Sequence, residues 1–241
     1  MKILAVDSSG MVASVALVED DILIAEYNVN FKKTHSQTLL PMIDEITKMV
    51  ELDMSSIDAI AVAAGPGSFT GLRIGSATVK GLAQALGKPV VAVPTVDALA
   101  YNLYGSSSVI CPLMDARRNQ TYTGIYEFEK KENAYVMNII TSQCAVDVGE
   151  IIGKLNEIGR DVVFLGDGVP VFTEQIEREL KVPHTYAPAF MNRQRASALA
   201  CLAERYFMED KVQTAGEFAP IYLRLSQAER EQLEKEKQET N

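Results

Sequence analysis

The feature that most restricts how this chain can fold is an order of elements that occurs twice. KILAVDSS, VASVALVED and ILIAEYNV are short runs of β-branched and apolar residues, parted by Ser-Gly and Glu-Asp-Asp turns. That is the pattern of three antiparallel strands. SQTLLPMIDEITKMV then places Leu39, Ile43, Ile46 and Val50 three and four apart, an amphipathic helix over 36–50 with Pro41 near its first turn. A buried strand (AIAVAA), a glycine-rich loop, a helix over 70–86 closed by Gly87 and the strand PVVAV follow. Further along, VICPLMDARR, QTYTGIYEFEK and AYVMNIITS read as strands, VGEIIGKLNEI as a helix and DVVFLGDG as strand and glycine turn. A duplicated β-β-β-α-β-α unit predicts two related α/β lobes. In that register Asp7 corresponds to Asp115, and the turn at 65–67 to Gly166-Asp167-Gly168. The lobes are expected over 1–104 and 105–225, the second taking in the helical RASALACLAERYFME and the segment FAPIYLRL. The remainder, 226–241, is charged with almost no apolar stripe and is expected as a frayed, solvated helix.

A chain of 241 residues with 47% hydrophobic content can bury such a core. No run approaches the ~20 apolar residues of a membrane span, and no basic start precedes a long apolar stretch, so the expected location is the cytoplasm with no membrane contact. Cys111, Cys144 and Cys201 are odd in number and lack CxxC spacing, which suits free thiols in a reducing compartment. The formal charge of -9 works against unaided attraction to RNA, which depends on lysines and arginines displacing counterions. A nucleic-acid substrate would need another component to hold it.

The loop AGPGSFTGLRIG, 64–75, invites three chemistries. A phosphate loop would need lysine after the second glycine, where Leu72 follows Gly71. The dinucleotide pattern fails at Thr70, which stands where its third glycine belongs. A nucleophile elbow around Ser68 would need glycines at the positions of Pro66 and Thr70, and a base in reach; the only histidines are His35 and His184. Capping of the following helix is the plainer role for Ser68 or Thr70. The third reading concerns the helix itself. Gly71, Gly75 and Gly81 each cost about 1 kcal/mol relative to alanine, so close approach of another backbone must compensate. Gly71, Gly75 and Thr78 share a face with Leu82 and Ala85. Its neighbour is either this chain's own first helix or a helix of another protein, and spacing does not choose between them.

His35 opens the first helix, but Leu39 stands where an H-x-x-x-H metal pair would place its second imidazole, so no metal is expected. Asp7 and Asp115, at paired strand ends, would either face each other across a cleft and hold Mg²⁺ or satisfy the amides of their own turns.

Taken together, ILAVDSS, HSQTLLPMI, AGPGSFTGLRIG running into KGLAQALGKPVVAVPTVDALA, MDARRNQTY and PIYLR resemble the TsaB family, closely over the first half of the chain and thinly over the rest. The resemblance implies an actin-like, ribonuclease H-like ATPase fold of two duplicated lobes. It implies a non-catalytic scaffold in the machinery that makes threonylcarbamoyladenosine in tRNA, paired with the paralogous TsaD transferase and joined by the TsaE ATPase. tRNA would be met only through the complex, and the family can also self-associate through the same lobe, so the chain alone is either a monomer or a homodimer. The helices 36–50 and 70–86 become the expected docking surface: Gly71, Gly75 and Thr78 let a partner approach, while Leu39, Ile43, Leu72 and Ile74 fill its grooves. Asp7, Asp115, Gly166 and Gly168 become a vestigial nucleotide cleft. No cofactor is expected to be held tightly; ATP with Mg²⁺ belongs to the complex interface or that cleft. The rival reading is a Mg-nucleotide-dependent ATPase or kinase-like enzyme of the same fold.

Overall fold

The computed structural model describes residues 1–224; the tail expected at 226–241 lies outside them. The first run is β1 (Lys2–Asp7), β2 (Ala13–Glu19), β3 (Ile22–Val29), α1 (His35–Met49), β4 (Ala59–Gly65), α2 (Phe69–Leu86), β5 (Val90–Pro94) and α3 (Thr95–Tyr101). The second is β6 (Val109–Asp115), β7 (Gln120–Lys131), β8 (Ala134–Asp147), α4 (Val148–Ile158), β9 (Val162–Leu165), α5 (Val169–Glu179), β10 (His184–Tyr186) and α6 (Ala196–Met208). One sheet is ordered β3-β2-β1-β4-β5, and the other, read from the matching edge, β8-β7-β6-β9-β10. In each, a hairpin-connected antiparallel trio is extended by parallel strands. This doubled order gives the two related α/β lobes that the repeat predicted and the actin-like, ribonuclease H-like fold that the resemblance implied.

The layers follow from burial. β4 is buried along its whole length because α1 and α2 cover one face of its sheet and α3 and α6 the other. Leu39, Ile43 and Ile46 of α1 and Val79 and Ala83 of α2 fill the outer core of the first lobe. Ile151, Leu155, Phe172 and Ile176 of α4 and α5 do the same for the second. Between the sheets, α3 and α6 share a third core with β1, β6 and β7. There Tyr126 donates to buried Asp97 at 2.7 Å, tying β7 to α3. α3 escapes sequence reading because all seven of its residues are buried and it shows no amphipathic period.

The expected lobe boundary needs correction. α6 packs chiefly on β1 and β2 of the first sheet, with its other side against the core between the lobes. Gln213 then bridges Val90, and Phe218 enters the first lobe's outer core. The chain thus crosses back, and most of 196–224 belongs with the first lobe. Element order along the chain could not show this, because α6 is apolar on enough of its surface to suit either sheet. Glu26 of β3 anchors the return: it accepts from the Arg195 guanidinium and from Ser197 N and Oγ, the latter at 3.0 and 2.6 Å. Burial pushes this carboxyl up, but the bonds from Arg195 and Ser197 outweigh it and hold the group below the usual carboxylate range. A depressed folded-state value stabilises above the unfolded value and is lost as pH falls through the folded one. Glu26→Ala is therefore expected to lower stability at pH 7 by about 2 kcal/mol, with the deficit shrinking below about pH 4; urea melts at the two pH values check it.

All three cysteines are free, and burial pushes the Cys111 thiol up to about 12 and Cys201 up to about 11. No helix among the described residues is long and apolar enough to cross a membrane.

Candidate functional site

Two places hold the candidate residues: the cleft between the lobes and the outer face of α1 and α2. At the cleft, β1 ends on Asp7, whose Oδ1 accepts from Ser9 N at 2.8 Å and Ser9 Oγ at 2.6 Å. The residue is buried; burial pushes its carboxyl up against the pull of those two bonds. Ser8 Oγ donates to the Gly71 carbonyl at 2.9 Å, and Ser9 O accepts from Ser68 N at 2.7 Å. Ser68 caps α2, accepting from Gly71 N at 3.2 Å. The glycine loop is thus stitched onto the end of β1, and several amides that a phosphate would need are already committed.

The second lobe repeats the device. Asp115 Oδ1 accepts from Arg117 N at 2.8 Å, the same two-residue turn that Asp7 makes with Ser9. Gly168 N donates to Leu113 O at 2.9 Å. Gly65 and Gly166 share a left-handed backbone, φ 111° and 112°. A Cβ on Gly65 would come within 3.0 Å of Ile221 O, and one on Gly166 within 3.0 Å of Leu113 O. The two glycine turns match the predicted correspondence and are closed against the chain.

The two aspartates take different places in the structure. Asp7 faces into its own turn and does not line the cleft, whereas Asp115 does and lies 3.2 Å from the Arg117 guanidinium. The arrangement does not fit a magnesium ion held between them. Among the described residues no three His, Cys, Asp or Glu side chains converge. His35 stands at the start of α1 with Nε2 2.9 Å from the Gly10 carbonyl, so it braces the β1–β2 turn, while its Nδ1 is buried without a partner.

The cleft itself has a volume of about 730 Å³, and its charged wall is what sequence reading missed: Arg73, Arg117, Arg118 and Arg224 line it together with Asp115 and Asp167. Arg117, Arg118 and Asn119, at the tip of the β6–β7 hairpin, all have positive φ. Such left-handed backbone costs non-glycine residues of order 1–3 kcal/mol each and clusters at functional sites. The segment PIYLR closes the rim. Ile221 N donates to Ala64 O at 2.7 Å, and Tyr222 stacks on Phe69 with centroids 4.7 Å apart. The signal was the Arg-Arg pair in MDARRNQTY, whose charge is diluted by the acidic chain around it.

The outer helices sort the predicted docking residues into two sets. Leu39, Ile43 and Leu72 are at most 4% exposed and fill this chain's own core, so their expected place in a partner's grooves is corrected. Gly71 and Gly75 are buried as well: an added Cβ would lie within 3.0 Å of Ser8 O and Ser8 Oγ respectively. The neighbour that compensates these glycines is the turn after β1. Ile74 and Thr78 sit half-buried at the margin. The outward stripe of α2 is Arg73, Ala77, Gly81, Gln84 and Ala85, a set sharing only Ala85 with the predicted face, and Gly81 has open space about it. On α1, Leu40 and Met49 are exposed. Period alone could not tell the two faces apart, since both are made of small residues.

A family model described as TsaD, tRNA N6-adenosine threonylcarbamoyltransferase, matches residues 29–232. The Bacillus subtilis tRNA threonylcarbamoyladenosine biosynthesis protein TsaB is 34% identical over 237 residues, covering 98% of this chain and all of that protein. The chain belongs to the TsaB family. The Escherichia coli TsaB is 29% identical over 231 residues, 93% of this chain and 95% of that one. Among solved structures, YeaZ from Pseudomonas aeruginosa superposes with a TM-score of 0.77 at 27% identity, over 92% of this chain and 99% of its own. A second Pseudomonas aeruginosa structure, described as an uncharacterized protein with similarity to peptidase YeaZ, gives 0.79 at 28% identity over the same shares. The match to TsaB thus runs through both lobes and includes the return of the chain to the first.

Proposed function

We propose that this chain is the non-catalytic partner subunit of the machinery that forms threonylcarbamoyladenosine in tRNA, acting in the cytoplasm by pairing with a TsaD-type transferase. The observation that carries the reading is a contrast within the first lobe. The polar groups where β1 meets the glycine loop are engaged internally, Asp7 with Ser9 and the Ser68 and Gly71 amides with Ser9 O and Ser68 Oγ. α2 meanwhile leaves a low-relief exposed surface of Ala77, Gly81 and Ala85, and α1 exposes Leu40 and Met49 on opposite margins of its buried stripe. Small residues let a partner's helices approach closely. A TsaE-type ATPase joins the pair, tRNA is engaged by the assembly, and the same face supports a homodimer when the chain is alone. ATP is not held tightly by this chain.

The test uses the TsaD of the same organism. The two chains are expected to co-elute, and tRNA modification is expected to drop at least tenfold when this chain is withheld. Full modification in its absence would defeat the scaffold reading.

A further inference from the structure

The cleft gathers four of the chain's ten arginines although the protein as a whole is acidic. Arg118 makes no hydrogen bond or ion pair among the described residues, and the Arg117 side chain is 85% exposed, paired only with Asp115. Arg73 stands over the ring of Tyr222 at 6.0 Å, and Tyr222, itself stacked on Phe69, is exposed. Arg224 donates to Ala116 O and holds the base of the arginine hairpin to the last described segment. The opposing charges are Asp115, paired with Arg117, and Asp167, which accepts from Asp115 N at 3.3 Å. The wall is therefore net cationic, with an aromatic face beside it.

We infer that this arginine-lined cleft grips the phosphodiester backbone of the tRNA substrate, Arg117 and Arg118 each contacting a phosphate and the Phe69–Tyr222 stack receiving an unpaired base. The inference rests on the partner-subunit reading above. Three observations favour an RNA strand over an enclosed nucleotide. The cradle amides are spent on Ser9 O, Ser68 Oγ and Leu113 O. The aspartates are not arranged around a metal. Arg118 and the largely exposed Arg117 stand at the tip of a hairpin, where a polymer passing the mouth meets them, and an aromatic face stacks bases of any sequence. The acidic remainder of the chain repels RNA elsewhere, which explains how a local contact suits an assembly in which another subunit supplies most of the affinity.

The test is tRNA binding by the TsaB–TsaD assembly across a salt series, with wild type, R117A/R118A and R117K/R118K. R117A/R118A is expected to bind tRNA about tenfold more weakly at ~0.15 M salt and to lower the slope of log K against log salt by about 2, one per lost phosphate contact. R117K/R118K is expected to keep the slope, since lysine retains the charge. Co-elution with TsaD is expected to be unchanged in both, so failure of wild type to assemble would sink the functional reading and not this one. Unaltered affinity and slope in R117A/R118A would overturn the inference, as would a loss that lysine does not restore. Titration of Mg-ATP into the assembly gives the other decisive outcome: nucleotide binding abolished by R117A/R118A with tRNA affinity intact would assign these arginines to a nucleotide.

Discussion

Gly71→Val is expected to destabilise the chain by at least ~3 kcal/mol and to lower the thermal midpoint by about 6–12 °C. The added Cβ would press into the Ser8 carbonyl and against the His35 ring, and the atom it meets first is backbone, which cannot swing aside. Both elements that would have to shift are fastened: Ser8 by its bond to the Gly71 carbonyl, and His35 by its contact with Gly10 O. Gly81→Ala is the control on the same helix. With nothing within 4 Å of its Cβ, it is expected to stabilise by about 1 kcal/mol through helix propensity. Thermal and urea melts of the two variants decide the matter. Equal stabilities would mean that the glycines of α2 are not there to admit the β1 turn.

The second large effect falls on assembly. A77R/G81R, on the outward stripe of α2, is expected to weaken binding to TsaD at least ~100-fold, about 2.7 kcal/mol, because two guanidinium groups would have to be desolvated where a partner's helix approaches. Both positions are exposed, and Gly81 has open space, so the thermal midpoint is expected to stay within about 3 °C of wild type. Calorimetric titration with TsaD reads the first quantity and a melt the second. Unimpaired binding would move the interface off α2. The pair of experiments separates an expected effect on folding at the inward Gly71 from an expected effect on docking at the outward Ala77 and Gly81.

Much of this fold was legible because duplication is written in local pattern. Strand alternation, the Leu39/Ile43/Ile46 stripe, the Ser68 cap and the Gly87 close are consequences of residues within one turn or one strand of each other. So was the equivalence of Asp7 with Asp115 and of the two glycine turns, which the structure repeats down to the two-residue aspartate turn. α5 was implied only by the repeat, its start marked by Gly168 and a proline in the first turn. What failed to be legible depends on contacts between distant segments. Leu39, Ile43 and Leu72 read equally well as core or as interface because an apolar stripe states that a face is buried without stating by what.

The sequence by itself determined two lobes of one repeated design, the helices that cover them and the absence of a histidine where a metal pair would need one. Those follow from spacing, which is a local property of the chain. Only the tertiary structure decided that Gly71 and Gly75 face Ser8, that Ala77 and Gly81 face outward, that residues after 196 return to the first sheet, and that four arginines meet in one cleft. Arg73, Arg117, Arg118 and Arg224 come from three separate stretches of an acidic chain, and charges so far apart act together only after folding brings them within a Debye length.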